Sequence, residues 1–256
     1  MIKDSRYISL ILIILLSCNN GHNYNNFNNQ LIDSSVKSDS AVVKLYLPFK
    51  KKLEESLMNK PLAYSKKTYK KNDGELNSTL SNFFADVTYE MTNDRFKKIK
   101  GEKIDVVLLN NGGIRSIISK GAISQKTAFE LMPFENSIVV VKLSGQSINS
   151  MVEYLRKVKL QHPLKGLNIV LNNDYSLNSA KIDGNEIIND KFYNVATTDY
   201  LLNGGDKMNF FAEGIEIIET GYKMRDILVD YFTEIDTLEL RVDKRFTRNK
   251  WIGKNL

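Results

Sequence analysis

Two hydrophobic periods alternate along this chain, and the alternation restricts its fold more than any other feature. Leu80, Phe83, Phe84, Val87 and Met91 recur at helical spacing, as do Ile148, Val152 and Leu155, and again Ile227, Leu228, Tyr231, Phe232 and Ile235. Steps of three and four residues put such side chains on one helix face, so each stretch predicts an amphipathic helix. Between them lie the β-branched runs Ile104–Leu109, Ser137–Leu143, Asn168–Leu171 and Phe192–Ala196, which suit strands. Asp183-Gly184-Asn185, set between Ala180-Lys181-Ile182 and Glu186-Ile187-Ile188, signals a hairpin turn whose residues adopt positive φ. This irregular mixture predicts an α+β domain with mixed sheets flanked by helices. With 256 residues, 42% of them hydrophobic, the chain can bury one substantial core.

The N-terminus follows a different logic. Lys3 and Arg6 precede an unbroken apolar run from Leu10 to Leu16, which is shorter than the roughly 20 residues a bilayer span needs. Residues 1–17 therefore read as a secretory signal. Leu15-Leu16-Ser17-Cys18 resembles the lipobox of bacterial lipoproteins, in which the cysteine is acylated and becomes the mature N-terminus. Cys18 is the only cysteine, and a lone thiol in an exported protein favours lipidation over a disulfide. Residues 18–40 are rich in Asn and Ser, including Asn25, Asn26, Asn28 and Asn29. Such a segment buries too little apolar surface to offset its ordering entropy, so it reads as a flexible tether before a domain over residues 41–256. The expectation is an exported protein, lipid-anchored to the bacterial cell envelope, with Asn19 compatible with the outer membrane.

The net charge of +6 is spread over scattered lysines, and no RNA-recognition, zinc-finger or helix-turn-helix pattern accompanies it, so nucleic acid is not an expected partner. A metal-dependent hydrolase needs several ligands converging on one point, and the chain has two histidines, His22 and His162. His22 falls in the tether; His162, before Pro163, reads as a solvent-facing loop residue. With no Gly-x-Ser-x-Gly elbow, no Walker loop and Cys18 committed to export, no catalytic residue and no metal or cofactor is expected on this chain.

Three loop segments carry the remaining signal. Asn110-Asn111-Gly112-Gly113-Ile114-Arg115 follows the strand Ile104–Leu109. Paired glycines let backbone amides approach a ligand, and the arginine offers a planar fork to an anion. Alone, Asn-Gly-Gly describes a tight turn with a surface Arg. Leu131-Met132-Pro133-Phe134-Glu135-Asn136 is a proline-stiffened loop whose Phe134 would ordinarily pack. Asp199-Tyr200-Leu201-Leu202-Asn203-Gly204-Gly205-Asp206 follows the strand Phe192–Ala196 and places an aromatic ring near a carboxylate able to accept from ribose hydroxyls.

In this order and spacing the three segments resemble the C-terminal domain of the 5′-nucleotidase and UDP-sugar hydrolase family, over about Ala41 to the C-terminus. Family members carry Asn-Gly-Gly-Gly-Ile-Arg, then Pro-Phe-x-Asn or a variant, then Phe or Tyr before Leu-x-Asn-Gly-Gly-Asp-Gly. The resemblance implies substrate recognition by this domain, with two metal ions and the attacking water supplied by a separate metallophosphatase. It further implies that Phe134 and Tyr200 sandwich the base, Asp206 holds the ribose and Arg115 contacts the phosphate side. Asn110, Asn136 and Asn203 would line the nucleoside, and Gly112, Gly113, Gly204 and Gly205 would shape the loops. The chain departs from the family at Leu76 and Asn77, where an Arg and a Glu often precede the helix start, and at Lys207, which replaces a glycine. By the resemblance, the first departure implies that one phosphate contact would be missing. The leading expectation is the recognition subunit of a split 5′-nucleotidase whose exported metallophosphatase chain carries the divalent metals. A nucleoside-capturing lipoprotein for uptake, or a degenerate structural domain, are the alternatives.

Overall fold

The computed structural model of the protein describes residues 31–33, 35–58 and 60–249, so the expected signal sequence, Cys18 and most of the expected tether lie outside the described residues. The chain divides after Phe49 into two compact units. Residues 31–33 and 35–39 form no helix or strand, and helix α1 (Ser40–Met58) begins where the Asp39 carboxylate accepts from the Ala41 and Val42 amides, satisfying donors that have no partner inside the helix. Among the described residues no helix is long and apolar enough to cross a membrane.

The larger unit runs β1 (Pro61–Ser65), α2 (Thr79–Lys100), β2 (Val106–Leu108), β3 (Gly121–Ser124), α3 (Gln125–Leu131), β4 (Ser137–Ser144), α4 (Gly145–Val158), β5 (Leu164–Lys165), β6 (Leu167–Leu171), β7 (Leu177–Ile182), β8 (Asn185–Glu186), β9 (Phe192–Thr198), α5 (Asp199–Leu202), β10 (Glu216–Lys223), α6 (Met224–Glu234), β11 (Thr237–Leu238) and β12 (Phe246–Arg248). The fold is α+β with mixed sheets. The central sheet has the order β10-β4-β9-β2-β5; two smaller sheets have the orders β11-β1-β3 and β12-β6-β7-β8. The three helices read from apolar spacing all form. Helix α2 starts at Ser78, whose side chain accepts from the Ser81 amide, and ends at Gly101, whose φ of 74° is the left-handed conformation that closes a helix. Lys97, Lys98 and Lys100 sit in its last turn, where cations favour the helix dipole. The Asp183-Gly184 turn has φ of 49° and 78° and joins β7 to a partner strand that stops at Glu186.

The inner strands β2, β4 and β9 of the central sheet are buried on both faces, which explains why they read as nearly continuous apolar runs. Successive strand residues point to opposite faces. In β4, Ile138 and Val140 join a core with Phe84, Leu131 and Phe232 from α2, α3 and α6. Val139, Val141 and Leu143 join a second core with Ile148 and Leu155 of α4 and with Leu167 and Phe211.

Two-sided burial makes a specific prediction. Val140→Ala and Val141→Ala, neighbours facing opposite cores, each lower unfolding stability by about 2 kcal/mol in urea titrations. A sheet with one solvated face would lose stability at only one of the two positions.

Candidate functional site

Strand pairing brings the three loop segments together. β2 and β9 are parallel neighbours, with Val106 opposite Val195, whereas β4 runs antiparallel to β9, with Ile138 opposite Thr198. The ends of β2 and β9 and the start of β4 therefore lie at one edge of the sheet. There they carry Asn110–Arg115, Tyr200–Asp206 and Met132–Asn136. These surround a cavity of about 270 Å³ lined by Asn110, Gly112, Gly113, Arg115, Met132, Phe134, Asn136, Tyr200 and Asp206.

Eight of the eleven residues singled out from sequence thus line one cavity. Asn203, Gly204 and Gly205 stand behind it. Asn203 donates its side-chain amide to the Asp199 carbonyl at 2.8 Å, and Gly204 turns the chain with φ of 87°. Gly205 lies under the Tyr200 ring, where an added Cβ would come within 2.4 Å of ring carbons. Met132 was not anticipated, because nothing distinguishes it locally from the buried Leu131. Lys207 adopts φ of 60°, a conformation a glycine would take freely, and does not line the cavity.

Asp206 is the hub. One carboxylate oxygen accepts from the Tyr200 hydroxyl at 2.9 Å, and the other from the Asn110 side-chain amide at 2.8 Å. The phenol of Tyr200 is held above its ordinary pKa, first by that hydrogen bond and then by the negative charge of Asp206. With Gly205 behind it and its hydroxyl fixed, the Tyr200 ring is still 46% exposed. Phe134, 43% exposed, is the second aromatic on the cavity wall, and the Arg115 guanidinium lies 5.9 Å from its ring centroid.

Each wall is braced from outside the motifs. Glu135 pairs with both Lys223 and Arg225, the Arg225 guanidinium stacks 4.2 Å from Phe129, and the Met224 amide donates to the Asn136 carbonyl. Together they tie the Phe134 loop to the start of α6. Lys71 donates to the Asn111 and Ile114 carbonyls at 3.3 and 2.7 Å; its pKa is lowered by burial and then by nearby Arg115. At the departures from the family pattern, Leu76 is buried and Asn77 donates to the Asp243 carbonyl.

His162 corrects the sequence reading. It is 3% exposed, not solvent-facing, and its Nδ1 accepts from the Asn111 amide at 3.2 Å. A Gln-His-Pro loop gives no local sign that Tyr154 and the Asn110–Gly113 segment will enclose it. Among the described residues no group of three or more His, Cys, Asp and Glu is arranged to hold a metal ion.

Two titrations check this geometry. Followed by ¹³C-tyrosine NMR, Tyr200 should titrate above the ordinary phenol value of about 10, and Asp206→Asn or Gly205→Ala should bring it down by breaking or displacing the hydrogen bond. Unchanged titration would contradict the bond. Glu135 is held at about 2 by hydrogen bonds from Lys223 and then Arg225. A depressed carboxylate pKa contributes stability above its unfolded value and loses it as pH falls through the folded one. Thermal stability should therefore fall from pH 4.5 toward pH 2, and Glu135→Gln should make that fall shallower.

Comparison with known proteins places this geometry in context. A sequence model of the family "5′-nucleotidase, C-terminal domain" matches residues 58–213. The 5′-nucleotidase of Vibrio cholerae is 25% identical over 209 residues, covering 77% of this chain and 35% of the relative. Protein UshA of Escherichia coli is 28% identical over 144 residues, 54% of this chain and 26% of the relative. The chain thus spans about a quarter to a third of these curated relatives. A 5′-nucleotidase precursor from Thermus thermophilus superposes with a TM-score of 0.67 at 21% identity over 82% of this chain and 43% of its own. The NAD nucleotidase of Haemophilus influenzae does so with 0.60 at 17% identity, over 84% and 42%. At these identities the two structures establish shared fold.

Proposed function

Because the chain belongs to the family of 5′-nucleotidase C-terminal domains, whose model matches residues 58–213, we propose that it recognises the nucleotide or nucleoside for a split 5′-nucleotidase, with hydrolysis performed by a separate exported metallophosphatase chain. The observation that carries this reading is the pair of half-exposed rings, Phe134 and Tyr200, on a cavity that also presents Asp206 and Arg115. A base held between the rings gains about 1 to 3 kcal/mol from stacking. Asp206 accepts from the ribose hydroxyls, Asn110 and Asn136 contact the nucleoside, and Arg115 meets the phosphate with a charge-assisted fork. The cavity holds one carboxylate and no histidine, a lining suited to recognition. The two divalent metals and the attacking water belong to the partner. This chain's contribution is to fix the phosphate ester relative to them, which lowers the barrier by removing orientational freedom. Export and attachment through acylated Cys18, with the outer membrane as destination, complete the proposal.

The test is to tag the chain at its C-terminus in its native cell, solubilise membranes gently, purify the tagged protein and measure phosphate release from AMP with and without a chelator. Chelator-sensitive hydrolysis with a co-purifying metallophosphatase, lost in Phe134→Ala/Tyr200→Ala, is the expected result. If the membranes hydrolyse AMP and the purified protein brings down neither activity nor such a partner, the split enzyme is wrong. Adenosine binding by the chain alone would then leave nucleoside capture.

A further inference from the structure

Behind the cavity, two side chains outside every motif join the two glycine loops. Asn111 opens a 3₁₀ turn over Asn111–Gly113, and the first amides of such a turn have no partner within it. The Asn111 amide is satisfied by Nδ1 of His162, which lies in the loop between α4 and β5. Its side chain is held as well, donating to the Gln161 carbonyl at 2.9 Å. Tyr154, on α4, lies with its ring 5.9 Å from that of His162 and donates its hydroxyl to the Asp206 carbonyl at 2.9 Å. This pair of tilted rings thereby holds the loop carrying Gly112, Gly113 and Arg115 and the loop carrying Tyr200 and Asp206, although Asn110 and Asp206 are 96 residues apart.

We propose that His162, supported by Tyr154, is a positioning residue that holds the two ligand loops in register, and that it does so only while its imidazole is neutral. The reading of the cavity as a nucleoside site serves here to choose the ligand. An imidazole nitrogen that accepts from a backbone amide carries no proton, so the proton resides on Nε2, which is buried and has no partner. Protonation at Nδ1 would set two donors against each other and release the Asn111 amide. The groups facing His162 are the Tyr154 ring, the Leu109 carbonyl and the Asp206 carboxylate. The last two favour imidazolium, but burial outweighs them and holds the pKa below the ordinary histidine value. Loosening of the loops therefore belongs to the acid side of pH 6.5.

His162→Asn places an amide oxygen where Nδ1 stood, keeping the acceptor without a titratable group; His162→Leu removes the acceptor, and Tyr154→Phe removes only the bond to Asp206. Adenosine and AMP affinities of the full chain and the three variants are measured by calorimetry from pH 7.5 to pH 5, alongside hydrogen exchange over Asn111–Gly113 without ligand. At pH 7.5, His162→Leu should bind about tenfold more weakly, the equivalent of one hydrogen bond, with faster exchange across the turn. Tyr154→Phe should weaken binding with exchange at Asn111 preserved. His162→Asn should restore both readouts and hold its adenosine affinity level with pH, while the unaltered chain weakens as pH falls through the folded-state pKa of His162, on the acid side of 6.5. Wild-type affinity and exchange in His162→Leu would overturn the positioning role, and equal pH profiles for the unaltered chain and His162→Asn would overturn the requirement for neutrality. If the unaltered chain binds neither ligand, the nucleoside reading fails, and the exchange data still decide whether His162 holds the loop.

Discussion

The site exists because β9 lies between β2 and β4, and that placement is held by polar contacts inside an otherwise apolar sheet. A strand buried on both faces carries little information about its own register, since a slip of one residue exchanges one apolar side chain for another. β9 is held at both ends. Near its start, Asn194 donates its side-chain amide to Glu102 and to the Lys103 carbonyl; its backbone carbonyl accepts from the Asp105 amide, and its backbone amide donates to the Asp105 carboxylate. Near its end, Thr197 donates its hydroxyl to the Leu108 carbonyl. A shifted pairing would leave these groups buried without partners, at a cost of about 1 to 3 kcal/mol each. That penalty fixes where Tyr200 and Asp206 emerge relative to Asn110.

Given that frame, the cavity is organised before any ligand arrives. Both oxygens of Asp206 accept internal donors, Glu135 holds the Phe134 loop against α6, and Gly205 gives the Tyr200 ring a fixed seat. None of this closes the site. A carboxylate oxygen has two lone pairs, so each oxygen of Asp206 retains an acceptor position for a ligand hydroxyl. Asp206 takes a left-handed backbone, with φ of 51°, which aspartate tolerates better than most residues. Ordering these side chains in advance spares the entropy that binding would otherwise consume.

How much of this could be read from sequence follows from where each signal resides. Helices α2, α4 and α6 and strands β4 and β9 are written in local apolar spacing, and eight cavity residues in three short motifs. The strands β1, β3, β5, β10, β11 and β12 escaped that reading. In β10, Glu216, Glu219 and Lys223 break up the apolar residues without a period of two, and Gly221 interrupts the run, the composition of an edge strand paired on one side only. Helix α1 escaped because Pro48 lies inside it, a residue that ordinarily argues against helix. The braces were invisible for another reason. Arg225, Lys71, Tyr154 and His162 act on loops tens of residues away, and each is unremarkable among its own neighbours. His162 shows the limit most clearly, since a polar loop sequence predicts exposure and tertiary enclosure decides otherwise.

The charge distribution around the cavity bears on which part of a ligand goes where. Among the described residues Arg115 makes no ion pair; its guanidinium contacts the Gly112 carbonyl at 3.3 Å and the face of Phe134. Lys71 spends its ammonium on two carbonyls of the same loop, and the repulsion from Arg115 contributes to its lowered pKa. Two cations against one loop, with Lys71 partly buried, raise the local potential there, because a partly buried charge is screened less than one on an open surface. Asp206 lies at the other loop, its carboxylate held by two neutral donors that leave its charge in place. On the proposed reading the polarity of the cavity orients the nucleotide. An anion placed beside Arg115 relieves the repulsion it shares with Lys71, whereas the same anion placed beside Asp206 would meet a fixed negative charge. The difference between those two placements, more than the affinity of either ring, would present a phosphate to whatever chain carries the metals.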